Sequence, residues 1–112
     1  GKFGGMAFRV PTPTVSVVDF TAILNKEASI EEIRAAMLEY ANGSMKGILD
    51  VTDEPLVSTD LRGTSFSSVF SAIDTIVLGN LIKVVAWYDN EWGYSNRLVE
   101  LVSDVGKQIY KS

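Results

Sequence analysis

A long, largely apolar stretch occupies residues 65–89, with the sequence SFSSVFSAIDTIVLGNLIKVVAWYD. β-Branched and aromatic residues are frequent on both sides of its centre, as is typical of strands. The centre is Leu78-Gly79-Asn80-Leu81, which has turn-forming residues at its tip. The stretch therefore predicts a β-hairpin, and any fold of this chain must contain an antiparallel pair of strands.

Four further runs predict strands elsewhere in the chain. Residues 15–25, VSVVDFTAILN, are rich in β-branched side chains and are expected to form a largely buried strand. One face of that strand carries Val18, Phe20, Ala22 and Leu24. The run MAFRVP at residues 6–11 is expected to form an earlier strand, which the prolines around its end would terminate. The runs KGILDVTD at residues 46–53 and LVSTDL at residues 56–61 predict two short strands joined by a turn.

Two segments predict helices. Ser29 and Glu32 have the spacing of a capping box, in which each side chain satisfies a free backbone donor at a helix start. Apolar residues follow at helical spacing: Ile30, Ile33, Met37, Leu38 and Ala41. Asn42-Gly43 is expected to end this helix, with the glycine in the left-handed conformation. The second helix is expected to begin with Ser95 or Asn96 as its cap, and its apolar face carries Leu98, Val102, Val105 and Ile109.

The order of these elements indicates an α+β fold. We expect a mostly antiparallel or mixed sheet with the helices on one of its faces. Only the crossover around the Ser29 helix is long enough to join parallel strands in this interpretation. At 112 residues, with 46% hydrophobic residues, the chain is large enough for one domain and too short for two.

The composition argues against several classes of function. The net charge is −4, and no cluster of Lys and Arg is present to bind nucleic acid or a membrane surface. The chain has no cysteine and no histidine, so it lacks thiol nucleophiles, the usual general base and the common ligands of zinc. We expect no metal site. No signal peptide or membrane-spanning run is recognisable, so a cytoplasmic location is expected, and the missing initiator Met suggests a piece of a longer protein.

The stretch AWYDNEWGYSNR at residues 86–97 is unusual because aromatic side chains alternate there with amides and carboxylates. Together with MAFRVPTPTVSVVDFTA at residues 6–22, it resembles glyceraldehyde-3-phosphate dehydrogenase. The two motifs occur in the order found in that family, and the resemblance covers essentially the whole chain. It implies a single partial catalytic domain over residues 1–112, the C-terminal portion of the enzyme. Residues 95–111 would be the last helix, packing on an NAD-binding domain that this sequence does not contain.

The resemblance also implies an activity. The family oxidises glyceraldehyde 3-phosphate with NAD or NADP and inorganic phosphate to an acyl phosphate, a step of glycolysis, and its enzymes are homotetramers. The thiol nucleophile and its histidine partner precede the region that this chain covers. The chain alone is therefore expected to be inactive.

Two residues have the strongest chemical case. Arg9 lies in an apolar run, and its planar guanidinium suits a phosphate, although an exposed edge position or an ion pair with Asp19 or Asp60 explains it equally well from the residues alone. The side chain of Asn90 is complementary to a carboxamide, although asparagine is also common in turns. The resemblance implies that Arg9 binds the substrate phosphate or inorganic phosphate and that Asn90 contacts the nicotinamide.

The residue types near Asn90 give weaker evidence for a role in ligand binding. Tyr94 could pack against the nicotinamide or belong to the core. Glu91 is expected to orient Asn90, and Asp89 is expected to act only as a charge at a helix N-terminus. Ser71 stands where the family commonly has Asp, which puts the local hydrogen bonding in question.

Three alternatives to a portion of the working enzyme remain open from the sequence. The chain could be a non-catalytic interaction module derived from the family, or an artefact, a proteolytic or partially resolved piece. It could also belong to the relative that acts on erythrose 4-phosphate. The upstream coding sequence would separate the first two from a portion of the full enzyme. As an isolated piece it is expected to expose apolar surface and to self-associate.

Overall fold

The computed structural model describes residues 1–111, so Ser112 of the predicted domain lies outside the described residues. Four strands and two α-helices form the fold. Their bounds are β1 Ser16–Ile23, α1 Ile30–Asn42, β2 Leu49–Thr52, β3 Ser68–Leu78, β4 Leu81–Tyr88 and α2 Trp92–Ile109, with a short 3₁₀ helix at Ser58–Leu61. This arrangement confirms the predicted α+β class.

The predicted hairpin is confirmed, and it forms the centre of the sheet. The strand order is β1-β4-β3-β2, in which β3 pairs with β4 and β4 pairs with β1, both antiparallel. Gly79 has a φ of +60° in the two-residue turn between β3 and β4, a conformation that glycine adopts without the steric cost of a side chain. The hairpin therefore fixes the register of the two central strands.

The parallel pair of the sheet is not the one that the sequence predicted. β2 and β3 are parallel neighbours, and residues 53–67 join them. The crossover that contains α1 instead carries the chain from one edge strand, β1, to the other edge strand, β2. The prediction was wrong because residues 56–61 were taken as a strand, which hid the length of the second crossover.

Two predicted strands are absent from the described residues. The run at 56–61 forms the 3₁₀ helix, in which the carboxylate of Asp60 accepts a hydrogen bond from the backbone N–H of Val57 at 2.8 Å and so favours a tight turn. Residues 6–11 form no strand and are exposed. A strand requires a hydrogen-bonded neighbour, and no described strand pairs with this run.

The prediction that β1 is largely buried was also wrong. Five consecutive residues from Val17 to Thr21 are exposed, and Ile23 is exposed as well. β1 is an edge strand with a single neighbour, and the packing of α1 is against β2 and β3 at the other side of the sheet. Most apolar side chains of β1 therefore lack a covering layer, and Ala22 alone in this strand packs against the larger cluster.

Helix α1 begins as predicted and ends differently in detail. The backbone N–H of Glu32 donates to Ser29 Oγ at 3.1 Å, and the N–H of Ser29 donates to Glu32 Oε2 at 2.7 Å, which completes the capping box. The helix ends at Asn42, but Gly43 has a φ of −109° and is not left-handed. Its N–H bonds to the carbonyl of Tyr40, and the first positive φ after this helix is at Gly47.

Two apolar clusters lie against the sheet. The larger cluster joins α1 to the sheet through Ile33, Phe70, Ala72 and Ile82. The smaller cluster lies under the connection between β2 and β3 and consists of Val15, Leu61 and Val69, with Leu56, Phe66 and Trp87 at its margin. The smaller cluster supports the chain segment on which the candidate site is built.

Strand β3 bends at a bulge. Ser71 pairs with Val85 and Ile76 pairs with Lys83, so β3 contains more residues than β4 between these points. The buried hydroxyl of Ser71 donates to Asp74 Oδ2 at 2.6 Å, inside the bulge. At the position where the sequence departs from the family pattern, the serine therefore has a hydrogen-bond partner within its own strand.

Helix α2 starts three residues before the predicted cap and leaves its apolar side exposed. Ser95 and Asn96 lie inside the helix, which begins at Trp92. The predicted apolar residues Leu98, Val102, Val105 and Ile109 are all exposed, as are Val99 and Leu101. Within residues 1–111, no helix is long and apolar enough to cross a membrane.

We expect the 112-residue chain on its own to self-associate through the exposed side of α2, because a contiguous apolar patch on a soluble chain is costly to hydrate. Sedimentation velocity at several concentrations would show a mass that rises with concentration. The paired substitutions Val102→Lys and Val105→Lys should shift the chain toward the monomer. A monomer at every concentration, with no binding of an apolar dye, would contradict the prediction.

Candidate functional site

The corner between β4 and α2 is organised by the carboxylate of Asp89, which is only 5% exposed. Its Oδ1 accepts hydrogen bonds from the backbone N–H groups of Glu91 at 3.1 Å and Trp92 at 2.9 Å. Its Oδ2 accepts one from the N–H of Gly63 at 2.9 Å. Asp89 thus holds the helix start through hydrogen bonds, where the sequence predicted only a charge near the helix N-terminus and a cap at Ser95 or Asn96, and it also ties the helix to the turn that follows the 3₁₀ helix.

Backbone hydrogen bonds keep Asp89 ionised. The bonds from Gly63 and then Trp92 lower the pKa of this carboxyl group below 3.8, its ordinary value, and burial only partly offsets them. The bond from Glu91 and the nearby charge of Arg62 act in the same direction. The corner therefore holds a fixed negative charge at neutral pH.

The side chain of Asn90 is held by the backbone of a distant residue. Its Oδ1 accepts a hydrogen bond from the N–H of Val15 at 3.1 Å. Because a backbone N–H can only donate, the atom that faces Val15 must be the amide oxygen, so the NH₂ group points elsewhere. Asn90 is exposed, and its NH₂ group can therefore donate hydrogen bonds to a ligand.

Val15 adopts an unusual backbone conformation to make this bond. Its φ is +70°, which for a β-branched residue costs about 1–3 kcal/mol. Its side chain is 7% exposed and packs in the smaller cluster with Leu61 and Val69. Burial of the side chain is the favourable contribution that offsets the conformational cost.

Helix α2 approaches the sheet closely at Gly93. A Cβ atom at this position would lie 2.8 Å from the carbonyl oxygen of Phe66, closer than real Cβ atoms come. One turn later, Arg97 Nη1 donates to the carbonyl of Gly47 at 3.0 Å and lies 3.4 Å from Ser67 Oγ, and Arg97 Nη2 pairs with Glu100 at 2.6 Å. These contacts fix the start of α2 on the beginning of β2 and β3.

The other predicted site residues are placed less tightly. Arg9 is exposed in the irregular segment that precedes β1. Tyr94 is 69% exposed in the first turn of α2, so it is not a core residue of this chain. The side chain of Glu91 is exposed and, among residues 1–111, makes no described hydrogen bond to Asn90. The described hydrogen bond that holds the side chain of Asn90 comes from Val15, and Asp89 holds the backbone that follows it.

An open cleft of about 380 Å³ adjoins the corner. Its lining consists of Pro13, Thr14, Arg62, Gly63, Asp89, Glu91, Trp92 and Ser95. Glu91 is the single predicted site residue that contributes to this lining. The cleft is bordered by one cation, two carboxylates and two hydroxyl groups, and Pro13 and Trp92 add apolar surface.

Sequence reasoning missed Val15, Gly63 and Gly93. Gly63 has a φ of +80°, and a glycine after Arg62 in a short polar run was the one available signal of a turn. Gly93 lies inside the aromatic stretch, where glycine among bulky residues is a signal of close backbone approach. Nothing in the sequence marks Val15, because its conformation depends on Asn90, which is distant in the chain.

The family model and the individual relatives that match this chain all belong to one family. A family model described as glyceraldehyde 3-phosphate dehydrogenase, C-terminal domain, matches residues 1–90. Glyceraldehyde-3-phosphate dehydrogenase of Atriplex nummularia is 54% identical over 112 residues, which are 99% of this chain and 31% of the relative. The enzyme of Geobacillus stearothermophilus is 51% identical over 109 residues, which are 96% of the chain and 32% of the relative.

A plant relative named as cytosolic extends this comparison. Glyceraldehyde-3-phosphate dehydrogenase 3, cytosolic, of Zea mays is 57% identical over 103 residues, covering 91% of this chain and 31% of the relative. The chain thus spans about a third of the length of the curated relatives that it matches.

The substitution Gly93→Ala tests the close approach of α2. The new methyl group meets the Phe66 carbonyl, so the helix start must shift, and we expect a loss of about 1–3 kcal/mol in stability. Gly106→Ala is the matched control in the same helix, because a Cβ there meets nothing within 4 Å. It should stabilise by about 0.5–1 kcal/mol. Equal effects of the two substitutions in thermal melts would contradict the prediction.

The pH dependence of stability tests Asp89. Because its pKa is lower in the folded chain than the ordinary 3.8, its contribution is complete above that value and is lost as pH falls through the lower folded pKa. Urea unfolding of the wild type and Asp89→Asn from about pH 6 to about pH 2 should show a stability difference that shrinks below about pH 4. A difference that is constant across this range would contradict the assignment.

Proposed function

Because the chain belongs to the family of glyceraldehyde 3-phosphate dehydrogenase C-terminal domains, we propose that it serves as the C-terminal catalytic portion of such an NAD(P)-dependent enzyme. The substrates would be glyceraldehyde 3-phosphate and inorganic phosphate, and the product an acyl phosphate. The observation that carries the proposal is the identity of 51–57% to full-length enzymes over nearly the whole chain, combined with the pre-ordered amide of Asn90.

Asn90 is proposed to hold the nicotinamide end of the cofactor. Its Oδ1 is bonded to Val15, so its NH₂ group would donate to the carbonyl oxygen of the carboxamide. A fixed carboxamide selects which face of the ring meets the substrate, and that geometry lowers the entropic part of the barrier. A nicotinamide cofactor supplies the acceptor for the hydride that leaves the aldehyde carbon.

Arg9 is proposed to bind the phosphate anion. Its guanidinium can form two parallel charge-assisted hydrogen bonds with phosphate oxygens. Arg9 is exposed in a segment outside the sheet. Its guanidinium is therefore free to bind a ligand or to contact the rest of the enzyme. Tyr94 and Glu91 are proposed as peripheral cofactor contacts, Tyr94 by stacking and Glu91 by orienting polar groups near Asn90.

The remaining chemistry must come from outside this chain. A sequence with no cysteine and no histidine cannot supply the thiol nucleophile or its imidazole base. These groups and the dinucleotide-binding domain would belong to the rest of the enzyme chain, which would also cover the exposed side of α2 over residues 95–111. We propose a homotetramer in the cytoplasm, in keeping with the relatives named as cytosolic and with a role in glycolysis.

A second candidate function is a non-catalytic interaction module. The exposed apolar side of α2 and the lack of cysteine and histidine favour it if the natural protein has only these residues. An enzyme that acts on erythrose 4-phosphate would use the same residues in the same roles. The aldehyde substrate of the intact enzyme must therefore be identified by assay.

The intact mass of the protein purified from its source separates the candidates. A mass about three times 12.2 kDa, with reduction of NAD or NADP that depends on glyceraldehyde 3-phosphate and inorganic phosphate, is the expected result. Activity with erythrose 4-phosphate alone would select the relative instead. A mass of 12.2 kDa without dehydrogenase activity would leave the interaction module.

Substitutions in the full-length protein test the two ligand roles. Arg9→Ala should raise the KM for the aldehyde phosphate by about 10-fold to 100-fold, as for loss of a hydrogen bond to a charged group. Asn90→Ala should raise the KM for the cofactor by about threefold to tenfold. Lys2→Ala and Asn42→Ala are the matched controls, since both residues are exposed and distant in sequence from the corner. Unchanged constants in either site variant would refute that residue's role.

A further inference from the structure

Asp89 accepts hydrogen bonds from the two residues that follow Asn90 and from Gly63, and the bond from Gly63 exceeds what a helix cap requires. We propose that Asp89 is a positioning residue for the cofactor, acting through Asn90. The inference rests on the proposed function of Asn90 as the nicotinamide contact. It gives Asp89 a role in ligand recognition in addition to its role at the helix start.

The geometry constrains the backbone of Asn90 from both sides. Asp89 Oδ1 accepts from the N–H groups of the two residues that follow Asn90, at 3.1 Å and 2.9 Å. The carbonyl of Asp89 accepts from the N–H of Gly93 at 3.0 Å. The peptide groups before and after Asn90 are therefore fixed, and this fixed backbone presents the side chain of Asn90 to the N–H of Val15.

The second carboxylate oxygen connects this turn to the body of the domain. Asp89 Oδ2 accepts from Gly63, which follows the 3₁₀ helix whose Leu61 packs beside Val15. One side chain thus joins Gly63 to the start of α2, and the Val15 end of the Val15–Asn90 bond belongs to the cluster that contains Leu61. Movement of Gly63 relative to α2 would change the direction of the Asn90 amide.

Only a carboxylate satisfies all three donors. It accepts through both oxygens and has no hydrogen to donate, whereas an asparagine presents an NH₂ group to one side. In Asp89→Asn, if the amide oxygen stays at the helix start, the NH₂ group faces the N–H of Gly63, and that bond becomes a repulsive contact. Any replacement for the lost partner must then be water from the adjoining cleft, and the direct bond between Gly63 and the start of α2 is lost.

A double-mutant cycle in the full-length protein tests whether Asp89 acts through Asn90. Asp89→Asn should raise the cofactor KM by about threefold to tenfold and leave the KM of the aldehyde phosphate unchanged. In the Asn90→Ala background, Asp89→Asn should have no further effect on the cofactor KM. Asp53→Asn, which weakens an exposed ion pair with Arg34 away from the corner, is the matched control and should leave both constants unchanged.

A nuclear magnetic resonance measurement tests the positioning without any catalysis. In ¹⁵N-labelled full-length protein, Asp89→Asn should increase the fast motion of the Asn90 side-chain NH₂ group and leave that of Asn42 unchanged. If the wild type binds no nicotinamide cofactor, the proposed function fails, and this measurement still decides whether Asp89 orders Asn90.

Three results would overturn the inference. One is an additive effect of the two substitutions on the cofactor KM, which would mean that Asp89 does not act through Asn90. Another is that Asp89→Asn impairs every kinetic constant to the same extent as it lowers the fraction of folded protein, which would give Asp89 a role in stability alone. The third is an Asn90 amide that remains as ordered in Asp89→Asn as in the wild type.

Discussion

The corner at which β4 ends and α2 begins depends on one buried carboxylate. Three backbone N–H groups converge on Asp89, two from the helix start and one from Gly63. A buried charge is tolerated only where such hydrogen bonds replace hydration, and here they come from peptide groups that cannot ionise or leave. Around this group the helix starts and the turn at Gly63 is joined to it.

The fold and the candidate site were predictable from the sequence to different degrees. The hairpin around Gly79 and the capping box at Ser29 were predicted correctly, because both depend on residues close in sequence. The burial of β1 and the identity of the parallel pair were predicted wrongly, because both depend on which strands become neighbours. Periodicity describes one strand at a time and carries no information on sheet order.

The site shows the same division. The sequence marked Asn90 as a candidate ligand contact and Asp89 as a charge near a helix N-terminus, from local chemistry and a family resemblance. The bond from Asn90 to Val15 joins residues far apart in the chain, and the bond from Asp89 to Gly63 crosses from one connection to another. No local pattern predicts such pairs, so the residues that hold the site were found only in three dimensions. The start of α2 was misplaced for a related reason, since the cap lies before the helix rather than at Ser95 or Asn96.

The left-handed backbone of Val15 has a consequence for how the corner behaves over time. A conformation held against its own preference persists only while the surrounding packing persists, so any local opening of the cluster releases Val15 toward ordinary backbone angles. Release breaks the bond to Asn90 and exposes the Val15 amide proton to solvent in the same event. The exchange rate of that single proton therefore reports the lifetime of the ordered corner, and it does so without a ligand, a cofactor or a partner.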